Sequence, residues 1–157
     1  MKKTAAALLL AAACMHAGVY EKGSAGAAVT VGSGTAYDNT YTILGISANY
    51  FVLDGLSMGL GYRGWFGGTP TMNEVDLPAT YFVPLRSDFR PYGGVFYRYT
   101  FVSGDYSNFN TYGARAGLSF VRGNGYFAVG WVQEWYSNDG SGTTTNGYPE
   151  ITAGVSF

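Results

Sequence analysis

Five charged residues, Arg63, Arg98, Arg115, Glu134 and Glu150, each stand seven to nine positions from one end of a segment in which apolar and small polar residues alternate. Opposite charges brought to one level of a dry interior pair with one another. Exchange of partners between such pairs can pass an ion. A second set of acids, Asp38, Glu74, Asp76, Asp105 and Asp139, falls between the alternating segments with no lysine or arginine among them. Glu74 and Asp76 share one such connection, where they are either simply solvated or hold a divalent cation against phosphate, since calcium and magnesium take carboxylate oxygens. Nucleophilic chemistry has poorer material. Cys14 and His16 are the only cysteine and histidine, and a serine hydroxyl needs a base to attack near neutral pH. One cysteine builds neither a disulfide nor a cysteine metal site. The expectation is a protein that is not an enzyme, with no catalytic residue, no cofactor and no metal centre.

The elements that must position these charges are announced by composition. Of 157 residues, 24 are glycine, 14 tyrosine and 10 phenylalanine, and only 12% are charged, about half the charged fraction of an ordinary soluble domain. Met1-Lys2-Lys3-Thr4 precedes an unbroken Ala/Leu run from Ala5 to Ala13. A charged head and a short apolar core make a secretory signal, too short to span a bilayer as a helix. Residues 1–17 are therefore read as a signal peptide cut near Ala13 or Ala17, leaving 18–157 as one domain. Leu10 sits one place too far upstream to make Cys14 a good lipidation site. In the mature chain Lys22 and six arginines face ten acids, 7 − 10 = −3, a balance that argues against nucleic acid as a partner.

No stretch beyond residue 20 has helical periodicity. Eight segments of period two recur instead, at about 25–32, 41–53, 56–66, 75–85, 90–102, 110–121, 126–136 and 148–157. Each sets an apolar row against glycine, serine, threonine, asparagine and the five charges. Leu44, Ile46, Ala48, Tyr50 and Val52 form one such row, and Phe157, Val155, Ala153 and Ile151 form the last. The fourth segment is the least regular, because Pro78 and Pro84 each lack a ladder donor. A soluble barrel would turn lysine and glutamate outward, yet only Lys22 remains after residue 3. The apolar rows are thus expected to face lipid, in an all-β, eight-stranded, antiparallel, up-and-down transmembrane β-barrel.

Short connections at Asp54-Gly55, 86–89 and 122–125 alternate with longer polar ones at 34–40, 67–74, 103–109 and 137–147, placing the latter outside the cell and both termini on the periplasmic side. Strands of 11 to 13 residues tilted by about 40° rise roughly 28 Å, enough for an apolar band of about 25 Å. Tyr41, Phe66, Phe101, Tyr112 and Trp135 are expected to form the outer aromatic girdle, and Phe89, Phe120, Phe127 and Phe157 the inner one.

In strand count, alternation and terminal Phe157, the chain after its signal resembles the small eight-stranded bacterial outer-membrane barrels of the OmpA transmembrane domain, OmpX and NspA type. The resemblance implies a Gram-negative outer-membrane protein, exported across the inner membrane and monomeric, with lipid and lipopolysaccharide as its surroundings. It also implies that Phe157, Val155, Ala153 and Ile151 serve as the signal read by the insertion machinery. Barrels of this kind that modify lipid A use a histidine near the outer rim, which this chain lacks after residue 16. Two roles stay open for the inward charges: a salt-bridged plug in a barrel with a structural or surface-contact role, or the gate of a narrow, porin-like channel for ions and small solutes.

Overall fold

The computed structural model describes residues 18–85, 87–137 and 143–157, the side chains of residues 137 and 143 excepted. The expected signal peptide with Cys14 and His16, Arg86 in the fourth connection and Asp139 in the seventh lie outside them. Eight strands follow one another: β1 (Ala25–Ala36), β2 (Asn39–Leu53), β3 (Leu56–Phe66), β4 (Met72–Phe82), β5 (Phe89–Val102), β6 (Phe109–Arg122), β7 (Gly125–Ser137) and β8 (Thr143–Ser156). Each pairs antiparallel with the next, and β1 pairs with β8 from Gly26↔Ser156 to Gly32↔Glu150. The seam is finished by Ala25 and Phe157, whose amides donate to each other's carbonyls at 2.9 and 2.8 Å. A closed ladder leaves no edge and satisfies the backbone internally, which is what a hydrocarbon environment demands of strands.

Every strand turns a bulky apolar residue outward: Val29, Ile46, Leu60, Leu77, Val95, Leu118, Val129 and Ile151 are all exposed. The charged residues of the alternating rows are turned inward, the reverse of a soluble domain. Since eight strands leave an interior that side chains just fill, large inward groups need small neighbours. Phe96 faces Gly113 across β5 and β6, and Asp76 faces Gly61 across β3 and β4. A Cβ at either glycine would collide with its partner's side chain.

Several expectations are corrected here. The connection expected at 34–40 is a two-residue turn, Tyr37-Asp38, with φ of 48° and 59°. That left-handed pair is the hairpin turn whose twist matches the strands it joins, so β1 and β2 run on to meet it. β8 likewise begins at Thr143 instead of Tyr148. β4 begins three residues earlier than expected and stops at Phe82, so Pro84 lies beyond the ladder. Pro78 stays inside it. Its partner on β5 is Phe96, while on the β3 side pairing lapses between Met58↔Ala79 and Gly61↔Asp76, at the place where proline has no hydrogen to donate. Tyr41, expected in the outer girdle, is fully buried inside the barrel and donates to the Pro70 carbonyl at 2.8 Å.

Inside, two apolar clusters lie at opposite ends. Toward the Tyr37-Asp38 end, the loop end, Tyr41, Ile43, Trp65, Met72, Phe96, Val132 and Tyr148 pack together. Toward the Asp54-Gly55 end, the turn end, the cluster is Val19, Tyr20, Phe51, Phe82, Tyr92 and Ala128.

Candidate functional site

Between the two clusters lies the charge layer. It contains all five inward charges read from the sequence, and two more. Glu74 and Asp76, expected in an outer connection and exposed to cations or lipopolysaccharide, stand on β4 and are almost fully buried in the lumen. Their surface role is overturned by parity. Val75, Leu77 and Tyr81 point outward along β4, so residues 74 and 76 must point in.

The layer divides into two groups. In the first, Arg63, Asp76, Arg115 and Glu150 close a ring of alternating charge. Arg63 meets Asp76 at 3.5 Å and Glu150 at 2.9 Å, and Arg115 meets the same two carboxylates at 3.6 and 3.3 Å. In the second, one arginine serves two acids: Arg98 Nη1 donates to Glu134 Oε2 at 2.6 Å and Arg98 Nε lies 3.3 Å from Glu74 Oε2. Arg98 Nη1 also donates to the Tyr148 hydroxyl at 3.1 Å, Thr100 Oγ1 donates to Glu74 Oε1 at 3.3 Å, and Asn146 Nδ2 donates to Glu134 Oε1 at 3.4 Å. The Phe96 ring separates the groups, 4.4 Å from the Arg98 guanidinium and 5.1 Å from that of Arg115, a favourable placement of cation over aromatic face.

Formal charge follows from the pairings. The ring is neutral, two against two. The triad Glu74–Arg98–Glu134 carries −1. The sequence alone, with Glu74 and Asp76 assigned elsewhere, gives an excess of one positive charge for the layer. With three arginines and four carboxylates, the sign is reversed. Burial is nearly complete: the Arg98 side chain has 0% of its surface exposed, and Arg115, the most open, 12%. Removing one partner from such a pair is costly, because the other is left charged and dry.

On the turn-end side, the ring borders a chamber of about 70 Å³ lined also by Asn49, Ser57, Thr80, Tyr92 and Tyr126. Against Phe82 and Tyr126, two of the residues that line the chamber, packs a segment that precedes the first strand. Residues 18–24 tuck into the barrel mouth, with Gly55 N donating to the Tyr20 carbonyl and Gly23 N to that of Phe51, both at 2.8 Å. Tyr20 takes φ of 71° and is 2% exposed. Its ring stacks on Phe82 at 3.9 Å, and its hydroxyl lies 2.5 Å from Ser119 Oγ. Arg90 stands 5.4 Å over that ring. Burial pushes the Tyr20 hydroxyl up, well above the ordinary phenol range, and keeps it neutral. Nothing in local periodicity marks Tyr20, since it precedes the first strand.

Ile151, Val155 and Phe157 face outward, Phe157 with 44% of its surface exposed, and Ala153 lies in the same row. No protein-family model matches the sequence, and no curated protein matches it. Solved structures do. The N-terminal β-barrel domain of Pseudomonas aeruginosa OprF aligns with 87% of this chain and 98% of its own, at 16% identity and a TM-score of 0.66. Neisserial surface protein A (NspA) aligns with 85% of this chain and 94% of its own, at 17% identity and a TM-score of 0.60. The outer membrane enzyme PagL aligns with 83% of this chain and 98% of its own, at 17% identity and a TM-score of 0.52. The fold is thus that of the small eight-stranded outer-membrane barrels, as the sequence pattern predicts.

Proposed function

We propose that this chain is a monomeric bacterial outer-membrane protein, exported across the inner membrane, whose lumen is sealed and whose role in the envelope is structural or one of surface contact. The observation that carries the proposal is the stack inside the barrel. Six ion pairs among seven side chains, none more than 12% exposed, lie between two aromatic clusters. An ion crossing this stack would have to break several desolvated pairs at once, at a cost of several kcal/mol. The outward belt supports burial in lipid, since apolar surface left in water costs about 25 cal/mol per Å². In this reading lipid and lipopolysaccharide surround the belt, and the insertion machinery reads the row Phe157, Val155, Ala153 and Ile151.

The likeness to PagL raises the enzymatic alternative. Catalysis is not proposed, because the described residues include no histidine or cysteine to activate or supply a nucleophile. Mass spectrometry of lipid A from cells with and without the protein tests this point, and a difference in acylation would reverse it. For the sealed lumen the test is efflux from vesicles. Refolded protein should leave potassium and small sugars trapped, whereas release at the rate of a porin would establish the narrow channel.

A further inference from the structure

The excess negative charge of the triad faces a second cavity, distinct from the chamber beneath the ring. It has a volume of about 160 Å³ at the loop end, and Glu74 and Glu134 line it together with Trp65, Tyr37, Phe109 and Tyr136. The remaining lining residues are neutral, so neither lysine nor arginine is among them. Tyr37, at the tip of the β1–β2 turn, meets Tyr106 from the β5–β6 connection edge-on, with ring centroids at 5.0 Å. Two buried polar atoms of the lining residues have no hydrogen-bond partner among the described residues: Trp65 Nε1 and Glu74 Oε2. Glu74 Oε2 lies near Arg98 Nε but out of hydrogen-bond alignment with it. Trp65 is 3% exposed and Glu74 likewise 3%. Trp65 Nε1 and Glu74 Oε2 are both closed off from water-sized space, so what the lining presents is one uncompensated negative charge within aromatic walls.

We propose that this cavity binds a small organic monocation, an alkylammonium of roughly choline's bulk, with its positive charge toward Glu74 and Glu134. Size fits, because a cavity of about 150 Å³ holds a molecule as large as benzene. Charge fits, because one positive charge neutralises the triad. The walls fit as well, since aromatic faces attract quaternary ammonium groups and offer nothing to an anion. A divalent metal is disfavoured by the ligand set. Calcium takes six to eight oxygens, and the described residues provide no group of three or more acidic, histidine or cysteine ligands. A lipid headgroup such as phosphocholine is disfavoured too, because its phosphate would face two carboxylates with no free cation in the lining.

The test is calorimetric titration of the refolded full chain, in a maltoside detergent at low salt, with choline chloride. Beside it run the neutral isostere 3,3-dimethylbutan-1-ol, glycerophosphocholine and calcium chloride. Choline should bind at least tenfold more tightly than each of the other three. Glu74→Gln should weaken choline about tenfold. Equal binding of choline and its neutral isostere, binding of glycerophosphocholine as tight as that of choline, a preference for calcium, or no detectable choline binding would each overturn the proposal. The comparison among ligands uses the parent protein, so misfolding of a variant cannot produce the expected result. A sealed lumen and an unliganded cavity are compatible, so this failure would leave the proposal of a sealed barrel standing.

Discussion

Replacing Arg98 with methionine keeps most of the side chain's bulk and removes its charge, so the change isolates the electrostatics of the triad. Arg98 lies 2.6 Å from Glu134 and 3.3 Å from Glu74. At an effective dielectric constant of about 20, unit charges at these separations attract by about 5 to 6 kcal/mol per pair. Desolvation of the guanidinium offsets much of that. The net loss expected on removing one partner of a buried pair is about 3–5 kcal/mol, and here two carboxylates are stranded. Glu74→Gln works in the opposite sense. It takes the layer from −1 to neutral and leaves an amide oxygen to accept from Thr100, so its cost should stay near 1 kcal/mol, the scale of one ordinary hydrogen bond. Urea unfolding of the barrel refolded into vesicles, with the folded fraction read from the mobility of unboiled samples, measures both. The predicted order is Arg98→Met far more destabilising than Glu74→Gln. A Glu74→Gln variant as unstable as Arg98→Met would refute the charge count of the layer.

Other outcomes follow from the same geometry. Unboiled and boiled protein should migrate differently on a denaturing gel, because a closed ladder has no edge from which to unravel; identical mobility together with solubility in plain buffer would contradict the membrane barrel. Phe157→Ala should lower the amount of folded barrel in the outer membrane more than Ser156→Ala, since Phe157 faces outward while Ser156 is buried and donates to the Ala25 carbonyl at 3.2 Å. Equal surface levels would remove Phe157 from any special part in insertion. Tyr20→Phe should cost about 1 kcal/mol through the lost hydroxyl contact with Ser119. It should also alter the alkaline limb of the stability curve. Burial raises the folded-state value of Tyr20 above its ordinary 10.0, so its contribution is intact below pH 10 and is lost as pH rises beyond it. The difference between parent and Tyr20→Phe should therefore shrink above that pH, and a difference that grows would contradict the buried placement.

Period-two patterning made the barrel legible because the outward row and the lumen row differ so sharply in composition. The five charges Arg63, Arg98, Arg115, Glu134 and Glu150 could be assigned inward for that reason. Glu74 and Asp76 could not, because they follow Gly67, Gly68 and Pro70, and a polar run after such residues resembles a loop. The row Val75, Leu77, Tyr81 did carry the missing signal, since extending its parity upstream turns both acids into the lumen. Tyr41 was misplaced for the opposite reason. An aromatic at a strand end suits a girdle, yet Tyr41 has the opposite parity to the exposed Leu44 and Ile46 of the same strand, and that turns it inward. The placement of Tyr20 is a tertiary effect: Phe51, Phe82, Tyr126 and Ser119, which receive it, come from four different strands. No local window contains them.

The closed lumen is tested most directly by the conductance of the refolded parent protein in a planar bilayer under a salt gradient. Three arginines held by four carboxylates between two aromatic clusters predict a flat current trace, with no resolved open level across the voltage range that a bilayer tolerates. A steady open level in the parent, reproducible from one insertion to the next, would contradict the seal and make the layer a gate.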